Sequence, residues 1–436
     1  MIVPGQGATS WHAARMLSWL GAEIECHADR TGAAQDWAAS GAMALTGRRL
    51  GSPLPAPGDT ASAVGGALLA TRLLAPPRPS GRELPDARVL SERAAVAGFH
   101  RDAPSSVGGS FRMLRAADGW IGLNLARPSD VELVPAWLEA TGSDWESDIR
   151  QRSASVLAER ARMLGLPASA LPRNADEQLV ARGQDREVRP FVLTGHAGPV
   201  ARVVRDCLVI DLSALWAGPL CAHLLTTLGA RVIKVESLLR PDGARNGPER
   251  FYDLLHSDQE AVALDFGTTK GRAQLAALID AADIVIESSR PRALRHLGIR
   301  AEEVLARAGD KCWISITAYG RTGPWSNAVG FGDDVAVAAG LLAFDLETGI
   351  PAPCGDAIAD PITGVNAALV AVACRMAGGR WLADLAMREQ VAAVLDGRPE
   401  PYPDLVVAAP QTRHPRSRAP DVGADTARIL REFGVA

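Results

Sequence analysis

The feature that most constrains the fold is an alternation of short apolar runs and longer helical segments in the second half of the chain. Runs of strand length stand at residues 207–212, 231–235, 261–265, 284–286 and 313–316. Most of them are separated by segments of helical length, such as residues 220–228 and 270–281. Strands connected through helices in this way form βαβ units, whose strands lie parallel in one sheet. We therefore predict an α/β fold with a Rossmann-like, doubly wound parallel sheet.

A different pattern precedes this sheet. Residues 111–125 contain two short apolar runs joined by Asp118-Gly119, which predicts a β-hairpin. Sequence rich in Ala and Leu, and therefore favourable to helix, follows as far as about residue 171. These segments together predict a smaller α+β domain.

Segments dense in proline and glycine mark the expected domain boundaries, because neither a helix nor a central strand persists there. Residues 76–85 and 195–200 are two such segments, and residues 398–420 carry six prolines. We predict four parts, in chain order: a shortened Rossmann-like half, a small α+β domain with its linkers, a main Rossmann-like domain, and an extended arm with a terminal helix. Their limits are 1–75, 76–195, 196–397 and 398–436.

The first 75 residues weakly repeat part of the main domain. Residues 13–24 parallel residues 221–233, because both run through a helix to Leu-Gly-Ala and a strand. An offset of 301 positions then aligns Asp59 with Asp360, each at the start of an apolar helix. Helices rich in Ala, Leu and Gly also resemble one another by chance, so both interpretations stay open.

Composition argues against several classes of function. The net charge of −4 gives no electrostatic reason to expect a nucleic acid or an anionic membrane surface as a partner. The six cysteines are scattered without a C-x-x-C pair, so we expect no metal site and reduced thiols in a cytoplasm. No apolar run approaches the roughly 20 residues of a membrane helix, and the first residues lack a signal-peptide pattern. We therefore expect a soluble, cytoplasmic protein.

The turn Trp216-Ala217-Gly218-Pro219 follows the first strand of the alternation. In a parallel sheet such a turn places a helix N-terminus at the carboxyl end of a strand, where backbone N–H groups approach a ligand. Ala and Gly leave that approach unobstructed. The same residues also fit an ordinary helix start with proline near its first position.

A series of blocks across residues 200–385 resembles the class III CoA-transferases, the family of formyl-CoA transferase, carnitine CoA-transferase and α-methylacyl-CoA racemase. The blocks include V-I-D-L-S, A-G-P, L-G-A-R-V-I-K-V-E, A-D-I-V-I-E, R-P-R-A-L, A-Y-G-R-T-G-P and A-D-P-I-T-G. Blocks in the expected order are more specific than any single motif. The resemblance implies the family's interlocked architecture, as a homodimer or with another family member. In this chain, however, the small domain precedes the longer Rossmann part.

The resemblance implies that coenzyme A passes from an acyl-CoA to a carboxylic acid through Asp360. In the family, this aspartate attacks the acyl-CoA carbonyl and forms a mixed anhydride, followed by an aspartyl-CoA thioester. A carboxylate suits the role because it is ordinarily ionised at pH 7. Asp356 is the alternative nucleophile, and Asp360-Pro361 also fits a helix N-cap pair. Gly364, or backbone N–H groups near it, is expected to stabilise the oxyanion.

The resemblance also implies contacts with coenzyme A, which is expected as part of a substrate and not as a permanently bound cofactor. The residues expected to make these contacts are Trp216, Ala217, Gly218, Pro219, Arg240, Leu264, Ser288, Arg290 and Gly364. Family members carry a basic run that helps to hold the phosphates, whereas residues 256–260 here read H-S-D-Q-E, which would repel them. Arg240, Arg245 or Arg290 would then hold the phosphates, if they are held at all.

Two other functions stay open. A racemase of acyl-CoA thioesters needs a second proton carrier. The family's Gly-His-Asp block has no histidine here, and Asp333 would be a poor substitute. We expect Asp333 and Asp334 to form a solvated loop pair. A catalytically inactive paralogue that acts as a binding or scaffold subunit is favoured by the altered basic run and the shortened first half.

Overall fold

The computed structural model of the protein describes residues 1–75, 83–140, 144–172, 188–205, 207–395 and 405–436. The helices are α1 (Ala8–Trp19), α2 (Ala33–Ala39), α3 (Thr60–Leu74), α4 (Glu92–Ala97), α5 (Pro128–Leu138), α6 (Trp145–Arg150), α7 (Ala154–Leu164), α8 (Ala217–Thr227), α9 (Glu249–His256), α10 (Thr269–Ala281), α11 (Pro291–His296), α12 (Ala301–Arg307), α13 (Gly332–Ala339), α14 (Ala359–Ala377), α15 (Met387–Ala392) and α16 (Thr426–Glu432). The strands are β1 (Phe111–Arg115), β2 (Trp120–Asn124), β3 (Ala168–Ala170), β4 (Val192–His196), β5 (Leu208–Asp211), β6 (Arg231–Ser237), β7 (Glu260–Leu264), β8 (Ile284–Glu287), β9 (Lys311–Thr317), β10 (Leu342–Phe344), β11 (Pro351–Pro353) and β12 (Arg380–Ala386). Short 3₁₀ helices span Met43–Leu45, Ala87–Leu90 and Gly243–Asn246.

A seven-stranded sheet with the order β4-β12-β9-β8-β5-β6-β7 forms the centre of the molecule. All of its neighbours pair in parallel except β4, which runs antiparallel to β12 at one edge. The predicted α/β fold with a large, mostly parallel sheet is therefore confirmed. The interlocked architecture involves a second chain and stays a prediction.

Helices cover both faces of this sheet because its strands are apolar on both sides. Adjacent residues of one strand enter different cores: Val209 packs toward α8 and α14, and Ile210 packs toward α10, α12 and α16. Side chains of a strand alternate between its faces, so a strand that is buried on both faces needs an unbroken apolar run. The apolar runs in the sequence thus specify a sheet enclosed between two helical layers.

The order in which strands are added to the sheet changes side at β5, since β6 and β7 follow on one side of β5 and β8 then pairs in parallel on the other. At such a switch point the loops after the carboxyl ends diverge and leave a crevice. Here the loop after β5 leads to α8, and the Ala214 N–H donates to Ser288 Oγ in the loop after β8 at 3.1 Å. The two loops predicted to contact a ligand therefore lie side by side.

The smaller α+β unit lies against helix α13. Its hairpin pairs β1 with β2, and β3 adds a third antiparallel strand that the sequence interpretation took for helix. Asn124 donates to Asp334 at 3.2 Å, and the Ser169 and Tyr319 hydroxyl groups lie 3.0 Å apart. Both contacts join this unit to the segment that follows β9.

The regular secondary structure of the first 75 residues is helical, apart from one parallel bridge between Ile2 and Glu25. Helix α1 packs against α3, α8 packs against α14, and α3 in turn packs on α14. The helix pairs thus correspond to the segments matched in the sequence.

The predicted domain limits stay a prediction, although two observations bear on them. Strand β4 joins the large sheet before residue 196, and α16 packs against β7. Most of the predicted linker at 76–85, and residues 398–404 of the predicted arm, lie outside the described residues. Among the described helices none combines the length and apolar composition that crossing a membrane requires.

We predict that Gly364→Ala lowers the free energy of unfolding by about 1–3 kcal/mol, the usual cost of overpacking. A Cβ at Gly364 would lie 2.6 Å from the Ala217 carbonyl oxygen and 2.9 Å from Leu220 Cβ, so α8 and α14 would have to separate. Helix propensity alone predicts the opposite sign, because alanine is the better helix former. Chemical denaturation measures the change.

Gly309→Ala is the matched control, since nothing lies within 4 Å of its added Cβ and its φ is not positive. Equal or higher stability of both variants would contradict the inferred close approach of the two helices.

Candidate active site

Asp360 lies in the first turn of α14, where this helix meets the start of α8. The backbone N–H of Ala217, the first residue of α8, acts on its carboxylate and lowers its pKa. The first N–H groups of a helix have no partner within it, and they carry a partial positive charge. The turn after β5 therefore does present a helix N-terminus to an anionic group, and that group is the side chain of Asp360.

Both helices are entered through a non-glycine residue with a left-handed backbone. Leu215 precedes α8 with φ of 70°, and Ala357 precedes α14 with φ of 42°. Such conformations cost free energy, so other contacts must hold them. The Leu215 N–H donates to Asp242 Oδ1 at 2.9 Å, and the Ala357 N–H donates to Asp333 Oδ1 at 3.1 Å. The backbone that aims the two helix starts at each other is thus fixed by buried carboxylates.

A cluster of acidic side chains surrounds Asp360. Asp333 and Asp356 are near enough for their charges to act on it, and the Arg93 guanidinium from α4 acts in the opposite direction. Arg93 forms a two-pronged ion pair with Asp356, with Nε 2.9 Å from Oδ2. Its Cζ also lies 5.1 Å from the ring centroid of Trp216. Asp356, the alternative nucleophile, is fully buried and engaged by this arginine.

The electrostatic environment raises the pKa of Asp360 to about 7. Burial is the largest cause, because it disfavours the charged form. The negative charges of Asp333 and Asp356 raise the pKa further, while Arg93 and the Ala217 N–H lower it. A pKa in this range lies well above that of an ordinary carboxyl group, so Asp360 gains its charge nearer to neutral pH than the sequence suggested.

Asp333 and Asp334 are not a solvated loop pair. They lie in the first turn of α13 with exposures of 7% and 0%. Burial raises the pKa of Asp333 to about 6 and that of Asp334 to about 8. The Oδ2 atom of Asp334 finds no hydrogen-bond partner among the described residues. Two adjacent aspartates suggested exposure to solvent, whereas the packing of α13 buries both side chains.

Gly332 is a part of this site that the sequence interpretation missed. A Cβ at this position would lie 2.3 Å from Asp360 Oδ2 and 2.3 Å from the Ala357 carbonyl oxygen. Any side chain there would displace the carboxylate. Its place beside the acidic pair was the available signal, since a glycine often marks a close approach. Arg93 had no comparable signal, because it is one of many arginines in the sequence.

The residues predicted to contact coenzyme A divide into groups in the structure. Trp216, Ala217, Gly218 and Pro219 are buried around the start of α8, and Trp216 packs edge-to-face on Phe251 at 5.2 Å. Leu264 and Gly364 are buried as well. Leu264 belongs to the core on the opposite face of the sheet, and Gly364 lies in the contact between α8 and α14. Packing accounts for both residues, so the structure does not place them at a ligand surface.

The predicted arginines form a separate positive cluster at the crevice. Burial lowers the pKa of Arg290, and the nearby charges of Arg292, Arg127 and Arg240 lower it further. Within the described part of the chain, Arg240 and Arg290 make no ion pair. Arg245 does not join this cluster, because it pairs with Glu236 at 2.6 Å. Ser288 belongs to the same loop as Arg290, and its hydroxyl oxygen accepts a hydrogen bond from the Ala214 N–H.

Comparison with known proteins finds a family and relatives that are similar to the second half of the chain. Residues 204–419 match the model of CoA-transferase family III. The chain is 30% identical over 210 residues to succinyl-CoA–D-citramalate CoA-transferase of Chloroflexus aurantiacus, a match that covers 45% of this chain and 52% of the relative. It is also 30% identical over 207 residues to succinate–glutarate CoA-transferase of Agrobacterium fabrum, covering 43% and 51%. The chain thus spans about half the length of these curated relatives.

A solved structure of a CAIB/BAIF family protein from Brucella suis is also similar to the chain. The two sequences are 26% identical, and the match covers 45% of this chain and 56% of the other with a TM-score of 0.41.

We predict that Arg93→Met destabilises the protein by about 3–5 kcal/mol, because it leaves Asp356 buried without its cation. The double variant Arg93→Met/Asp356→Asn recovers much of that loss, since the unpaired charge is then absent. Denaturation of the two single variants, the double variant and the wild type measures the coupling. Additive losses would contradict a buried ion pair.

We predict that Asp334→Asn makes the protein less sensitive to rising pH. The folded pKa of Asp334 lies above its ordinary value, so its contribution to stability is present at low pH and is lost as the pH rises from about 4 to 8. Between pH 5 and 8 the wild type should lose up to about 1.4 kcal/mol per pH unit relative to the variant. Parallel stability curves for the two proteins would contradict the raised pKa.

Proposed function

Residues 204–419 belong to CoA-transferase family III, and on that basis we propose that the chain transfers coenzyme A from an acyl-CoA to a carboxylic acid through Asp360. The observation that carries the proposal is the placement of Asp360. It is a half-buried carboxylate beside a helix N-terminus, and desolvation and its neighbours raise its pKa to about 7. A carboxyl group that is partly ionised near neutral pH and oriented by a backbone donor has the properties of a nucleophile.

In the first step, a carboxylate oxygen of Asp360 attacks the thioester carbonyl carbon. The C–S bond breaks, the thiolate of coenzyme A leaves, and a mixed anhydride joins the acyl group to Asp360. The thiolate then attacks the aspartyl carbonyl, which releases the acyl group as a carboxylate and leaves an aspartyl-CoA thioester. The acceptor carboxylate repeats the two steps in reverse order, so a new acyl-CoA leaves and the Asp360 carboxylate is restored.

Two groups of this chain support these steps. The Ala217 N–H, which acts on the Asp360 carboxylate, is the candidate donor to the aspartyl carbonyl that is attacked, where such a donor stabilises a tetrahedral oxyanion. Arg93 lowers the pKa of Asp360, and so keeps more of the carboxylate ionised among its acidic neighbours. Gly364 remains a second candidate oxyanion donor.

The arginine cluster after β8 supports the binding of the nucleotide end of coenzyme A. Arg290 and Arg240 are without carboxylate partners in the described residues, and guanidinium groups bind phosphate through paired N–H donors. These arginines take the place of the basic run that the sequence lacks at 256–260.

We predict that Asp360→Asn abolishes acyl transfer, with a loss of about 10³-fold or more, because an amide does not act as the nucleophile. Incubation with acetyl-CoA followed by borohydride or hydroxylamine should modify the wild-type protein at Asp360 and leave the variant unmodified. Peptide mapping by mass spectrometry locates the change.

Asp59→Asn is the matched control, since Asp59 holds the corresponding place at the start of α3 but pairs with His12 and Arg30. This variant should still form the adduct at Asp360. Modification at Asp356 in the wild type would reassign the nucleophile, and a wild-type protein that binds no coenzyme A would support the inactive paralogue.

We predict that kcat/KM for the transfer rises tenfold per pH unit below about pH 7 and levels off above it, because only ionised Asp360 reacts. Arg93→Met should move this midpoint upward, since Arg93 lowers the pKa of Asp360. A profile that is flat between pH 5.5 and 8, measured where each protein is folded, would contradict the assignment.

A further inference from the structure

A cavity of about 550 Å³ opens between the smaller α+β unit and the carboxyl edge of the sheet. Arg127 and Arg162 line it from the side of the smaller unit, and Arg290 and Arg292 line it from the side of the sheet. Glu159 is its acidic lining residue. Guanidinium groups from two parts of the chain therefore line one pocket that is open to solvent, with a large excess of positive charge.

Most of this charge has no partner within the described residues. Arg127 pairs with Asp130, whereas Arg162, Arg290 and Arg292 form no ion pair in the described part of the chain. Bringing unpaired like charges together and partly removing them from water is unfavourable in the empty protein. A bound anion would offset that cost.

Arg162 is held in place without a carboxylate. Its Cζ lies 4.1 Å from the ring centroid of Trp325, and Trp325 itself packs edge-to-face on Tyr319 at 5.4 Å. Stacking on an aromatic ring fixes the plane of a guanidinium and leaves its N–H groups free to donate. The stacked arginine is thus oriented in advance for a ligand with several acceptor oxygens.

One short segment of the chain connects the wall of the cavity with the site at Asp360. Ala328 and Val329 form part of its wall, and the chain then runs on to Phe331, whose ring centroid lies 5.7 Å from Arg127 Cζ. The next residue, Gly332, lies directly against the Asp360 carboxylate. Residues 328–332 therefore contribute both to the arginine-lined space and to the contact with the candidate nucleophile.

We propose that this cavity binds a negatively charged group of the compound that reacts at Asp360, and that Arg162 and Arg127 close on that group opposite Arg290 and Arg292. This inference rests on the proposed function. The group is a phosphate of coenzyme A or a second carboxylate of the acyl chain, since both offer paired oxygens to guanidinium donors. A long uncharged acyl chain is disfavoured, because it would bury the arginines without hydrogen-bond partners.

The test compares Arg162→Met with the wild type. Methionine preserves apolar contact with Trp325 and removes the charge. Arg115→Met is the matched control, because Arg115 also stacks on a tryptophan of the smaller unit, with Cζ 5.3 Å from the Trp120 ring, but lies outside this cavity. Thermal unfolding first establishes that both variants are folded.

Two arms identify the source of the anionic group. If it is a phosphate, Arg162→Met weakens the binding of coenzyme A about tenfold in calorimetry and leaves the binding of pantetheine unchanged. If it is a carboxylate, coenzyme A binds as before, and the preference for succinyl-CoA over butyryl-CoA in the transfer assay falls about tenfold. Either result supports the proposal, and the control variant should change neither quantity.

Unchanged coenzyme A binding together with unchanged succinyl-CoA preference would overturn the proposal and leave the proposed function standing. If the wild type binds no coenzyme A, the proposed function fails, and pyrophosphate then tests the cavity alone. If Arg162→Met weakens the binding of pyrophosphate, the result supports the anion site. If both proteins bind pyrophosphate equally, the result contradicts it.

Discussion

The close contact between the starts of α8 and α14 is the constraint on which the rest of the site depends. Because Gly364 has no side chain, α14 approaches the Ala217 carbonyl closely, and the Ala217 N–H lowers the pKa of the Asp360 carboxyl group. The strained backbones of Leu215 and Ala357 aim the two helix starts at each other, and buried carboxylates hold those backbones. One packing contact thus sets the position and part of the pKa of the candidate nucleophile.

Placing several acidic side chains together away from water costs free energy. The positive charge of Arg93, from a distant segment, offsets part of that cost. Arg93 lies on α4, far in sequence from Asp356 and Asp360, yet its charge acts on both. Helix α4, which precedes the large sheet in the chain, therefore contributes a side chain to the candidate site. The smaller unit contributes in the same way through Asn124, which donates to the buried Asp334.

Residues with clear local meaning were predictable from the sequence. Apolar runs such as 284–286 must be buried on both faces, so they predicted central strands of a parallel sheet, and the turn after β5 predicted a helix start at its carboxyl edge. Asp360 was identified through its place in an ordered series of family blocks. By contrast, Leu264 and Gly364 were assigned to ligand contact, and the structure places both in packing interfaces. A sequence motif does not distinguish a residue that contacts a ligand from one that allows two helices to pack closely.

The sequence by itself determined the fold class and the candidate nucleophile, because hydrophobic periodicity and local motifs depend on neighbours along the chain. Only the tertiary structure decided the chemical state of that nucleophile. The pKa of Asp360 depends on burial and on Asp333, Asp356 and Arg93, which come from separate segments. The arginine-lined cavity likewise combines Arg162 with Arg290 from different parts of the fold. Electrostatic energies depend on distances in space and on the exclusion of water, and neither quantity follows from the order of the residues in the sequence.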